Sequence, residues 1–155
     1  MIIDGIIEDL ANPELNGDAA RTLANLGDIV VDPLRDYLTD PGKPVAVRQY
    51  IPDVLFRIGS PAAASALADN LVQADPDFRS RVISALNKLC ELQRNLTLDK
   101  QAIESAMIAE MMGHYRSYQI LGVSNGDADE TLKQTMDEEV ERIFRLMKLM
   151  FPSLD

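Results

Sequence analysis

Tryptophan is absent from this chain, cysteine and histidine occur once each, and only 5% of the residues are aromatic. A lone cysteine, Cys90, cannot form an internal disulfide, so the fold is not stapled and suits a reducing compartment. A lone histidine, His114, gives no basis for a histidine-based metal site, and neither a metal nor another cofactor is expected. With so few rings, the core has to be built from aliphatic and small side chains, which suits closely packed helices. No apolar run approaches the ~18 residues that mark a membrane-spanning helix, so no membrane insertion of this chain is expected. The opening Met1-Ile2-Ile3-Asp4-Gly5 has no basic segment and no cleavage site, so it is not expected to be a secretory leader. Basic charge is scarce too: 15 Lys and Arg against 25 Asp and Glu give a net charge of −10. Phosphate binding needs clustered cations, so nucleic acid is not an expected partner, and an anionic membrane surface is disfavoured for the same reason.

What the chain does have is a recurring ladder of apolar residues. Leu15, Ala19, Leu23 and Leu26 are matched by Val47, Ile51, Leu55 and Ile58, and again by Phe78, Val82, Leu86 and Leu89. The spacing inside each row, i, i+4, i+8 and i+11, is one face of an α-helix. The rows are offset by 32 and then 31 positions. A second ladder lies between them: Ile2, Ile6 and Leu10 match Val30, Leu34 and Leu38, and then Ala63, Leu67 and Leu71. A fixed period of this size marks an array of stacked helical pairs, because a single pair cannot bury its own stripes.

The punctuation agrees. Asn12-Pro13, Asp40-Pro41-Gly42, Ser60-Pro61 and Asp75-Pro76-Asp77 each offer a capping acceptor followed by a proline suited to a first helical turn. Gly27 and Gly59 suit helix ends, and Cys90 stands at the matching position of the third row. Pro52 falls inside the second helix of its pair, where it removes a backbone donor and predicts a bend. Residues 91–98 read as a connection and Asp99 as an N-cap. A longer helix then runs to about Leu121, Ser124-Asn125-Gly126-Asp127 is a turn, and a last helix runs from about Asp129 to Met150. The acidic run Asp127-Ala128-Asp129-Glu130 suits that helix start. The expected fold is all-α: a right-handed α-solenoid of about three helical pairs (1–26, 28–59 and 60–92), with 93–155 a longer capping pair of the same domain.

Residues 47–63, running from Val47-Arg48 through Ile58-Gly59 to Pro61-Ala62-Ala63, resemble a HEAT repeat, and Asp75-Pro76-Asp77-Phe78-Arg79 opens the next pair in the same way. The resemblance covers roughly residues 1–90 and implies the α-solenoid fold. A narrower one lies in Arg48-Gln49-Tyr50-Ile51-Pro52, Ala85-Leu86-Asn87-Lys88-Leu89 and residues 141–146. These are similar to the cytoplasmic HEAT region of bacterial membrane proteins that carry a segment like the ADP/ATP translocases or the major facilitator superfamily. That implies a regulatory, cytosolic interaction module and a protein partner. The alternatives are a free-standing adaptor and a lyase or chaperone of bilin attachment. HEAT-like hydroxylases use paired His-Glu metal motifs, which one histidine cannot supply, so no catalytic residue is expected.

The candidate partner-binding residues are Arg48, Gln49, Arg57 and Arg81, all on second helices. Guanidinium groups recognise carboxylates through paired hydrogen bonds. Arg48 and Arg79 hold equivalent positions, and the structural reading pairs them with Asp40, Asp75 or Asp77. His114-Tyr115-Arg116-Ser117-Tyr118 has catalytic vocabulary but no nucleophile or paired carboxylate beside it, and is expected to pack between helices. Six of the seven methionines fall in the C-terminal pair, as core filling or as an adaptable contact surface.

Overall fold

The computed structural model describes residues 2–123 and 130–151. Its elements are helical throughout: α1 (Ile2–Glu8), α2 (Asn16–Leu26), α3 (Val31–Thr39), α4 (Val45–Arg48), α5 (Ile51–Ile58), α6 (Pro61–Ala68), α7 (Pro76–Leu92), α8 (Lys100–Val123) and α9 (Glu130–Met150). Short 3₁₀ turns at Asp9–Ala11 and Gly27–Val30 extend α1 and lead into α3. The chain divides into two compact units, Met1–Asp99 and Lys100–Asp155. The expected turn at 124–127 and most of the acidic run lie outside the described residues.

In the first unit the pairs stack as the period requires. The first helices α3 and α6 pack together, and the second helices α2, α5 and α7 form a row with α5 in the middle. The ladders fill the space between them. Val47, Ile51 and Leu55, with Phe78, Val82, Leu86 and Leu89, are buried, as are Val30, Leu34 and Leu38 and Ala63, Leu67 and Leu71. The first pair departs from the pattern. Ile2, Leu15 and Leu26 are exposed, and its core is carried by Ile7, Leu10, Ala19 and Leu23.

The caps follow the local chemistry. Ser60 Oγ accepts the Ala63 N–H at 3.1 Å at the start of α6, and Asp75 Oδ1 accepts the Asp77 N–H at 2.8 Å at the start of α7. Each satisfies a helix-end donor that has no intrahelical acceptor. Gly59 ends α5 at φ 65°, a left-handed conformation that other residues adopt only with strain. At the matching position Cys90 has no such freedom, and α7 runs on to Leu92, into the stretch expected to be a connection. Pro52 does not bend a continuous helix. The chain breaks into α4 and α5 around Gln49-Tyr50, and Pro52 stands in the first turn of α5, where its missing N–H leaves no bond unmade.

In the second unit α8 and α9 run antiparallel. Glu110 faces Arg142 and Ser117 faces Glu139, so one helix ascends as the other descends. Ile103, Ala106, Leu146 and Leu149 bury the apolar part of the seam.

Leu55 is fully buried on the central second helix. Leu55→Asp places an uncompensated charge there and is expected to cost about 4 kcal/mol or more, enough to unfold the first unit. Thermal circular dichroism checks this, and an unchanged transition would disprove the repeat register.

Candidate interaction surface

The residues singled out on the second helices have different fates. Arg48 is only 5% exposed. Its Nε and Nη2 donate to the Leu38 carbonyl at 3.3 and 2.9 Å, and Nη2 also donates to Gln73 Oε1 at 2.9 Å. The guanidinium lies over the Phe78 ring, 4.6 Å from its centroid. Arg48 is therefore built into the array rather than presented to a partner. Its expected acidic partners are engaged locally, because Asp40 Oδ1 accepts the Gly42 N–H and Asp75 Oδ1 the Asp77 N–H, each at 2.8 Å. The carbonyls at the end of α3 lack intrahelical donors and take their place. Arg79 likewise donates to the Gln73 and Ala74 carbonyls, both at 2.9 Å.

Around Arg48 the polar groups form a closed set. Gln73 Nε2 donates to Leu38 O at 3.0 Å and to Asn70 Oδ1 at 2.6 Å. Asn70 Nδ2 donates to the Ala66 carbonyl at 2.9 Å, and Thr39 Oγ1 donates to Asn70 Oδ1 at 3.2 Å. The end of α3 is thereby tied to the end of α6 and to the base of α7.

Gln49 sits half-buried in the link between α4 and α5. Arg57 and Arg81 are exposed. Arg57 pairs with Asp53 at 3.0 Å across one helical turn, a solvent-exposed pair of small energetic value. The 31-residue offset identifies their neighbours. Tyr50 is equivalent to Arg81 and Lys88 to Arg57, and both are exposed. With Asp18, Arg21 and Asp53 they place the exposed positions of α2, α5 and α7 on one helical face, at i, i+3 and i+7. That face carries mixed charge on α2 and α5 and is basic on α7. Tyr50 and Lys88 were findable in the sequence by the same offset that revealed the ladder.

The polar side chains of His114 and Ser117 turn toward α9. Ser117 Oγ donates to Glu139 Oε1 at 2.6 Å, His114 Nδ1 lies 3.7 Å from Glu139 Oε2, and His114 packs edge-on to Tyr118. Among the described residues no cluster of three or more His, Cys, Asp and Glu could hold a metal ion.

The HEAT-repeat family profile matches residues 3–87, more than half of the 155-residue chain. The chain belongs to the HEAT-repeat family. This HEAT protein matches no curated protein and no solved structure. HEAT repeats generally mediate protein–protein interaction, and the family is typically non-catalytic. Among the described residues of this HEAT protein, no helix is long and apolar enough to cross a membrane.

Two outcomes test the local chemistry. Burial raises the Cys90 pKa, which keeps the thiol protonated at neutral pH. Alkylation by iodoacetamide at pH 7 is expected to be several-fold slower than that of an unstructured cysteine peptide, as mass spectrometry would measure. Arg142 and Glu110 pair at 3.1 Å with 4% and 3% exposure. Arg142→Ala removes the cation facing a buried carboxylate and is expected to cost about 3 kcal/mol, seen as loss of helical circular dichroism at lower urea.

Proposed function

We propose that this HEAT array is a non-catalytic regulatory module that docks a protein partner through the face of its second helices. The observation that carries the reading is the exposed row along α5 and α7, formed by Tyr50 at the start of α5 and by Arg57, Arg81 and Lys88 on the helices. An aromatic ring set among guanidinium and ammonium groups suits an acidic segment, with the ring supplying contact area and the cations meeting carboxylates. Gln49 borders this face. Arg48 acts from beneath it by fixing α4 against the base of α7.

The finer reading places the module in the bacterial cytoplasm, tethered to a transporter-like membrane segment. Its support is the similarity of residues 48–52, 85–89 and 141–146 to the cytosolic HEAT regions of such proteins. Fractionation of native cells with an antibody to this domain tests it. A band much larger than 17.2 kDa in the membrane fraction supports the tether. A free band near 17.2 kDa overturns it in favour of an adaptor or a bilin-lyase type protein.

The partner-binding face has its own test. A photo-cross-linker at position 50 captures the partner in its own cells, and the purified pair is then titrated. Arg57→Glu with Arg81→Glu is expected to preserve helicity, weaken binding at least tenfold and flatten its salt dependence. Equal affinity before and after removes the second-helix face from the site.

A further inference from the structure

The α8–α9 hairpin is reversed in polarity over part of its length. Charged and polar groups, Glu110, Ser117, Glu139 and Arg142, are buried in its seam, while large apolar side chains stand outside. On α8 the exposed residues Met111, Tyr115 and Tyr118 each follow a seam-side residue, Glu110, His114 and Ser117. On α9 exposed Val140, Phe144 and Met147 follow Glu139, Ile143 and Leu146 in the same way. One residue turns a helix by about 100°. The helices run in opposite directions, so the same rotation from a shared seam brings both stripes to the same side. The hairpin therefore carries one continuous apolar face. Ile108 and Met112 widen it, and with Met111, Tyr115 and Arg116 they line a depression of about 510 Å³. Tyr115 is 65% exposed and Phe144 58%.

We infer that this face is a homodimer interface, on which a second copy of the chain lays its own α8–α9 hairpin to complete a four-helix bundle. Two observations select that occupant. The first is area. Eight side chains, each about half exposed and offering on the order of 100 Å², give roughly 800 Å² per copy, the share each partner contributes to a standard stable interface. The second is charge. On α9 the exposed Asp137 and Lys148 border the apolar face on either side of its middle. An antiparallel copy sets Asp137 of one α9 beside Lys148 of the other, twice over. A two-fold interface needs this self-complementarity, since one patch must serve as both partners. The methionines give the adaptable packing such a surface uses. This inference does not depend on the acidic-partner reading of the second-helix face.

The test is sedimentation equilibrium of the full chain at micromolar concentration. The wild-type protein is expected at twice 17.2 kDa. Phe144→Glu and, separately, Met112→Lys are expected at 17.2 kDa with unchanged helical circular dichroism, since both positions are exposed in the single chain. Phe144→Cys with Cys90→Ser is expected to cross-link to itself under mild oxidation, because Phe144 lies near the middle of the face. A wild-type chain that stays monomeric overturns the inference, as does a dimer that survives both charge substitutions.

Discussion

Three donors converge on one carbonyl. Arg48 Nε and Nη2 and Gln73 Nε2 all point at Leu38 O, at 3.3, 2.9 and 3.0 Å. A helix end buried between layers has carbonyls without intrahelical donors, and leaving one unmet costs about 1–3 kcal/mol. A cation also suits the negative end of a helix dipole. Here the donors come from two successive repeats, so satisfying the end of α3 also fixes the second repeat against the third. Arg48 extends the tie by resting on Phe78, the first ladder residue of α7. The apolar ladders hold the layers together without dictating register. The directional bonds at Leu38 select one register among the sliding alternatives.

The exposed face follows from that register. Tyr50 just before α5, Arg57 on α5, and Arg81 and Lys88 on α7 form a common surface only because these helices are locked side by side. Binding to a preset row of this kind avoids much of the ordering cost that flexible loops incur on association. On the proposed reading two tasks are separated by depth: the innermost arginine of the second repeat holds the structure, and the outward ones meet the partner.

Much of the fold was legible because the ladder repeats. Val47, Ile51 and Leu55, and their counterparts thirty-one residues on, are buried because α5 packs against α2, α6 and α7, and α7 against α5 and α6. Leu15 and Leu26 obey the same spacing yet stand exposed, since spacing alone does not supply the neighbour that covers a stripe. Pro52 was read as a bend because a pattern of side chains does not reveal a broken backbone. Arg48 was read as a partner-binding residue or as a pair for Asp40, Asp75 or Asp77, because its true acceptor is a main-chain carbonyl, and every residue has one. Only the helix end at Thr39 makes that carbonyl available, and helix ends are what side-chain periodicity locates least well. The reversed polarity of α8–α9 was hidden for a related reason. Helical spacing reveals a stripe, but which stripe faces the neighbouring helix depends on pairing that single-chain periodicity does not encode.

The role of the Leu38 cluster is tested most directly by a double-mutant cycle between Arg48 and Gln73, using Arg48→Met and Gln73→Ala with urea unfolding of the single and double variants. If the two side chains act as one unit joining successive repeats, the double variant should be about 1–2 kcal/mol more stable than the sum of the single losses predicts. Losses that add to within about 0.3 kcal/mol would contradict it, and would mean that the ladders alone set the register of the array.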